Sequence, residues 1–388
     1  MQYDFDEVIS RRNTNSIKWD CAEAVGNLPL WVADMDFRVA KPVLDALHRR
    51  VEHGIFGYAH IPDAYYEAVI RWFERRHHWT IRREHILTTA GIIPALSAIL
   101  QTMADQGEKV GLHTPAYNCF FLSTRNASRT LQEIPMVSRS GRYEIDWQVM
   151  EERVQGCKML IFCNPHNPTG RVWSKEELRQ VDEICNRHGV FVMCDEIHCE
   201  LTFPGVEYTP YATVATSDNW CVCTSCTKSF NLAGLPIANI VVPNDHIRAR
   251  LAAAFENNRV GDLTALSIEA LIAAYNESED WLEQLQQYIY ANYRYMCDYM
   301  QTYIPVLRPV RMEGTYLCWV DIRGTGMMAQ TLCRQLIEKQ HLMFNPGEMY
   351  GDSHYVRINM ACPRSTLQEA MTRLQTFYND HISTLKTS

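Results

Sequence analysis

Residues 159–198 read MLIFCNPHNPTGRVWSKEELRQVDEICNRHGVFVMCDEIH. Two continuous apolar runs, Met159–Cys163 and Val190–Cys194, frame the stretch. Unbroken apolarity over about four to six residues marks a strand buried on both faces, because a solvated face would show alternation. Between the runs, Ser174 and Glu177 have the spacing of a capping box, and Gly189 stands where a helix stops. The pattern predicts a helix over Ser174–His188. Strand, helix and strand in that order form the repeating unit of a parallel sheet. Each strand hands over at its C-terminal end to polar residues, first Asn164–Gly170 and then Asp195. Open α/β sheets hold their ligands at that edge.

The same pattern continues outward. Lys109–His113, Thr130–Met136, Trp220–Thr224 and Ala238–Val242 predict further strands, giving a three-layer α/β/α fold around a mainly parallel sheet. The character changes around Ser267–Tyr303. There Leu282, Leu285, Ile289, Tyr293, Met296, Met300 and Tyr303 recur every three or four residues, predicting a long amphipathic helix. A hairpin over Val306–Ile322 turning at Glu313-Gly314, a helix over Ala329–Lys339, a strand over Val356–Met360 and a helix over Thr366–Asn379 follow. The expected division is an N-terminal arm (1–40) packing with the small domain, a large domain (41–280) and a smaller α+β C-terminal domain (281–388).

Composition narrows the function. The 388 residues are 47% hydrophobic and 21% charged, as in ordinary globular proteins. The net charge of -8 argues against a nucleic-acid partner that would need phosphate neutralisation. No apolar stretch reaches membrane-spanning length, so no membrane association is expected. The start, MQYDFDEVIS, lacks the pattern of a secretory signal. The 14 cysteines are scattered, several within apolar runs, which points to reduced thiols and a cytoplasmic location.

Three weaker signals lead to no chemistry. Gly324-Thr-Gly326-Met-Met-Ala329 fits a dinucleotide fingerprint, but His341–Asn345, the possible next strand, ends without the acidic residue needed. Cys221, Cys223 and Cys226 lack a second cysteine pair at zinc-ribbon distance and read as core, so no metal is expected. His77-His78 lies among arginines and reads as a solvated helix end.

The chemistry-bearing residues stand in order along the predicted strand ends. Gly91-Ile92 opens an apolar helix, whose free N–H groups form an anion site. Tyr117 follows one strand, Asn167 lies in the turn after another, and Asp195 ends a third. Ser225-Cys226-Thr227-Lys228 closes a fourth with a lysine among hydroxyls. A desolvated lysine is a nucleophile for carbonyls. Lysine, anion cradle, stacking aromatic and carboxylate together suit an aldehyde cofactor with a phosphate and a pyridine nitrogen.

These motifs resemble the pyridoxal-phosphate enzymes of fold type I, the class I/II aminotransferases, over Leu28 to Arg364. The order of NPxNPTG turn, Asp and Lys matches, with gaps of 28 residues from Asn167 to Asp195 and 33 from Asp195 to Lys228. The resemblance implies that Lys228 binds pyridoxal 5'-phosphate covalently, Asp195 pairs with its ring nitrogen, Asn167 bonds the ring hydroxyl and Tyr117 stacks on the ring. It also implies that Gly91, Ile92, Ser225 and Thr227 hold the phosphate and that Arg357 grips the substrate carboxylate. The family's usual Tyr three residues after the Asp is His198 here, and its phosphate-binding Arg eight residues after the Lys is replaced by Pro236. Both departures, with Pro29–Phe37 (PLWVADMDF), Gly57-Tyr58 and Glu313–Tyr316 (EGTY), resemble the MalY/PatB-type cystathionine β-lyases. That subfamily implies a homodimer in which Tyr58 reaches the neighbouring site, with Trp31 beside an amino-acid thioether substrate. A carbon–sulfur β-lyase is therefore expected. An aminotransferase is the alternative on the same residues, and a non-catalytic binding protein is the third reading.

Overall fold

A computed structural model describes residues 1–381. In chain order its first strands are β1 (Leu28–Pro29), β2 (Ile86–Thr89), β3 (Lys109–Thr114) and β4 (Thr130–Pro135). A small ribbon of β5 (Val137–Arg139) and β6 (Arg142–Glu144) precedes β7 (Cys157–Cys163), β8 (Phe191–Asp195), β9 (Trp220–Thr224) and β10 (Ala238–Val241). Seven of these form one sheet in the order β2-β10-β9-β8-β7-β3-β4. Only β10 runs against its neighbours, so the sheet is mainly parallel, as the apolar runs predict.

Strand geometry explains why those runs are unbroken. Successive side chains point to opposite faces, and both faces are covered. Leu160, Phe162, Val192, Cys194 and Val222 enter one apolar core, while Met159, Ile161, Phe191, Met193, Cys221 and Cys223 enter the other. Fully burying such a side chain contributes about 1.5–3 kcal/mol. Cys221 and Cys223 are thus core residues. The helix between β7 and β8 spans Lys175–Arg187, capped by Ser174 and Glu177 in the expected box.

Beyond the sheet the predicted amphipathic helix is present. The apolar stripe belongs to Glu279–Tyr303, while Ala265–Glu277 is a separate helix. The break falls at Ser278, whose hydroxyl turns back to the Ala273 carbonyl at 3.1 Å. Then come β11 (Arg308–Pro309), β12 (Leu317–Asp321), β13 (Leu342–Met343), β14 (Asn345–Pro346) and β15 (Tyr355–Asn359). β11, β12, β15 and β14 form a second, antiparallel sheet, followed by helix Arg364–His381. Within the fingerprint, Gly324 lies in a short 3-10 turn after β12, and the helix that follows leads to β13, which pairs with β1 and not with β12, so no βαβ unit forms. The arm joins this part through β1, which pairs with β13, and through Phe5, which packs on Trp281 at 5.7 Å.

The predicted hairpin exists, but Glu313-Gly314 is no free turn. The N–H groups of Glu313 and Gly314 both donate to the Gly170 carbonyl, at 2.8 and 3.1 Å. The Glu313 carboxylate accepts from Arg142 at 2.9 Å and from the fully buried Arg171. Arg171 also holds both oxygens of Glu177, at 2.6 and 2.7 Å. A side chain at Gly314 would stand 2.7 Å from the Leu201 carbonyl. The tip of the hairpin is therefore pressed into the turn that carries Asn167. His77 needs a second correction. Its Nε2 lies 2.6 Å from Glu200, among Trp72, Arg76 and Cys199, because Glu200 gathers the side-chain donors of Trp72, Arg76 and His77.

Candidate active site

The parallel strands deliver their polar ends to one edge. β2 ends beside Gly91, whose φ of +116° suits glycine, and Ile92 opens the helix Ile92–Met103. Beyond β3 comes Tyr117, beyond β7 comes Asn167, β8 ends on Asp195, and β9 leads to Ser225, Thr227 and Lys228. Ser225 Oγ sits 2.8 Å from Thr227 Oγ1 and donates to the Ile237 carbonyl at 2.6 Å, which fixes both hydroxyls beside the lysine.

Burial sets the electrostatics. Asp195 Oδ1 accepts the Ile197 N–H at 3.1 Å. Loss of water pushes this carboxyl up to about 7, against the pull of that bond and of Lys228. Burial likewise lowers Lys228 to about 8; Arg357 adds to the effect, while Asp34 and Asp195 oppose it. His198 is held neutral, down at about 3, by burial and then by the positive Lys228 and Arg357. Its Nδ1 is buried without a partner, as is the Nε of Arg357. Burial also raises the Tyr117 phenol, so it stays protonated. Lys228 Nζ donates to the Ala33 carbonyl at 2.6 Å.

The second sheet supplies the remaining cation. Arg357, in the middle of β15, donates to Asn167 Oδ1 at 3.2 Å and to the Trp31 carbonyl at 3.1 Å. Its guanidinium lies 4.6 Å over the Tyr350 ring. A nucleophilic amine, a buried carboxylate and an anchored guanidinium thus converge from three parts of the chain.

Comparison with known proteins matches residues 28–374 to the model of the aminotransferase class I and II family. The chain belongs to that family. It is 34% identical over 381 residues to cystathionine beta-lyase PatB of Bacillus subtilis, covering 96% of this chain and 98% of PatB. Identity to protein MalY of Escherichia coli is 32% over 382 residues, again covering 96% and 98%. The crystal structure of cystalysin from Treponema denticola, which contains a pyridoxal 5'-phosphate cofactor, superposes with a TM-score of 0.94 at 32% identity, over 98% of this chain and 100% of that one.

In this aminotransferase class I and II chain, two predicted residues stand apart. Tyr58 is fully exposed on its loop and meets none of the others. It borders a cleft shared with Phe56, Arg83, Asp262 and Thr264. Trp31 faces the site through its carbonyl, while its indole N–H donates to the Lys18 carbonyl at 3.2 Å. Sequence reasoning missed the clamps on residues 31–37. Asn359 donates to the Val32 and Asp34 carbonyls at 2.5 and 2.6 Å, and Asn231 to the Met35 and Phe37 carbonyls at 3.1 and 2.8 Å. A signal for Asn359 existed, since it lies two residues from Arg357 and so shares its strand face. Buried Lys18 and half-buried Arg11, bound to Asp36 at 2.7 and 2.8 Å, left no such signal.

Proposed function

We propose that this protein is a pyridoxal 5'-phosphate-dependent carbon–sulfur β-lyase that converts L-cystathionine or a related cysteine S-conjugate, with water, to a thiol, pyruvate and ammonia. The observation that carries the reading is Asp195, a buried carboxylate with one hydrogen bond, set at the same sheet edge as the Lys228 amine. Such a carboxylate is costly unless a cationic partner meets it. A protonated ring nitrogen is such a partner. The helix N-terminus at Gly91-Ile92 with the Ser225 and Thr227 hydroxyls suits a phosphate, so the residues present fit the cofactor.

Bound pyridoxal phosphate supplies an electron sink for the charge that develops at Cα. The chain does the rest. Lys228 anchors the cofactor and, once free, takes the Cα proton as an amine, a role suited to its lowered pKa. Asp195 would keep the ring nitrogen protonated, Tyr117 would pack on the ring, and Asn167 and His198 would help hold the ring in place. Arg357 orients the substrate by its α-carboxylate, which leaves Cβ–S free to break. Trp31 contributes its carbonyl, which accepts from Arg357, and Arg11 and Lys18 are already consumed by Asp34 and Asp36. The exposed Tyr58 and Phe56 suit burial against a second copy, so the working unit is a homodimer in which Tyr58 reaches the partner's phosphate. The chain divides into the arm 1–40, a cofactor-binding part 41–280 and a smaller part 281–388, whose last seven residues lie outside those described. The protein works in the cytoplasm. Among the described residues no helix is long and apolar enough to cross a membrane.

The deciding test is incubation with L-cystathionine and no keto acid. Continuous release of thiol, pyruvate and ammonia in equal amounts is expected. A single turnover that resumes only on adding 2-oxoglutarate or pyruvate would show an aminotransferase instead.

Arg357→Lys probes substrate orientation. A point charge replaces a two-pronged donor, so kcat/KM is expected to fall about 10- to 100-fold, equivalent to about 1.4–2.8 kcal/mol, mostly through KM. An unchanged KM in steady-state assays would remove Arg357 from carboxylate binding.

A further inference from the structure

Two donors converge on one oxygen beside the site. The Ala33 carbonyl accepts from Lys228 Nζ at 2.6 Å and from the Tyr316 hydroxyl at 3.0 Å. A carbonyl oxygen offers two lone pairs, so this pair of donors fills it. We propose that Tyr316 is a positioning residue for Lys228: its hydroxyl occupies one lone pair of the Ala33 carbonyl, holds that carbonyl at the lysine, and limits how strongly it can retain the ammonium form.

Both ends of this contact are built rigidly. Tyr316 follows the pinned hairpin tip, where Thr315 N–H donates to the Leu201 carbonyl at 2.6 Å and Thr315 itself takes a φ of +66°. A non-glycine residue adopts that conformation only where its surroundings impose it. The Tyr316 ring is fully buried and meets the His198 ring edge-on at 5.9 Å. On the other side, Asn359 holds the carbonyls of Val32 and Asp34, which flank Ala33. Burial raises the Tyr316 phenol far above its ordinary range, so it remains a donor while Lys228 titrates.

The charged and titratable groups around Lys228 come from every neighbouring element. They are Asp34 on the arm, Asp195 on β8, His198 beyond it, Cys119 on the helix Asn118–Asn126, and Arg357 on β15. None of them is a second donor to the Ala33 carbonyl; Tyr316 is. Removing its hydroxyl leaves that oxygen to the lysine alone, and a hydrogen bond made more fully to a charged form raises the pKa.

The test is Tyr316→Phe in the full chain, which keeps the ring and its packing. After removal of the cofactor, amine labelling by acetic anhydride is followed at Lys228 by peptide mass spectrometry across the neutral to alkaline range. The labelling midpoint is expected to move up by about 0.5–1 pH unit. The pH dependence of pyridoxal phosphate recapture should shift by the same amount. Tyr211→Phe, which loses a buried hydroxyl bound to Asp182, should leave both profiles unchanged. A Tyr316→Phe midpoint equal to or below that of the wild type overturns the proposal. The inference rests on Lys228 being the cofactor lysine; borohydride reduction of the wild-type holoenzyme and mapping of the modified peptide tests that separately.

Discussion

Lys228→Ala is expected to lower the rate of thiol release by about four orders of magnitude or more, since one side chain serves as both anchor and base. Its Nζ is the amine at the strand-end edge beside Asp195, with a pKa lowered to about 8 by burial. The remaining residues still offer the phosphate cradle and the ring contacts, so the cofactor should bind, but reversibly. Dialysis should then remove it from the variant and leave it on the wild type. A variant that kept both wild-type turnover and a borohydride-reducible link would refute the assignment. The sign of the pH effect follows from the same burial. The base form of Lys228 grows as pH rises through about 8, so a step limited by that base accelerates over that interval.

Asp195→Asn comes second in size. A neutral amide cannot hold the proton on a ring nitrogen, and a loss on the order of 10^2- to 10^3-fold in kcat is expected. The variant also carries a stability signature of opposite sign. The wild-type carboxyl is pushed up to about 7 by burial, from the ordinary 3.8. Charging it costs the cofactor-free fold stability, a cost that sets in as pH rises above about 4 and is complete above about 7. Asparagine carries no such cost. Cofactor-free Asp195→Asn should therefore unfold at a higher temperature than wild type at alkaline pH, and the advantage should vanish in acid. At about 1.4 kcal/mol per pKa unit, the difference is on the order of 4 kcal/mol. Calorimetry at the two pH extremes measures it, and an equal difference at both would contradict the buried-carboxylate account. The full loss of kcat with no thermal gain at alkaline pH would assign Asp195 to catalysis while removing its electrostatic isolation.

The sheet was legible in the sequence because burial on both faces leaves a one-dimensional mark. Met159–Cys163 and Phe191–Cys194 had to be apolar at every position, and their polar sequels had to emerge at the same edge. The order of Gly91, Tyr117, Asn167, Asp195 and Lys228 was readable for the same reason, as each lies at the end of a strand or a few residues beyond one. The break at Ser278 was not, since a serine is tolerated within a helix as readily as between two. His77 misled because a histidine among arginines has the composition of a surface, while Glu200, 123 residues away, draws it inside.

By itself, then, the sequence determined the parallel sheet, the strand-end motifs and the chemistry that a lysine, a carboxylate and an anion cradle can share. The tertiary structure alone decided which distant groups complete the site. Arg357 meets Asn167 across 190 residues, and Tyr316 and Lys228 meet at Ala33 across 283 and 195. Such contacts depend on how two sheets and the arm pack together, and pairwise packing between distant segments imposes no periodicity that either segment displays alone.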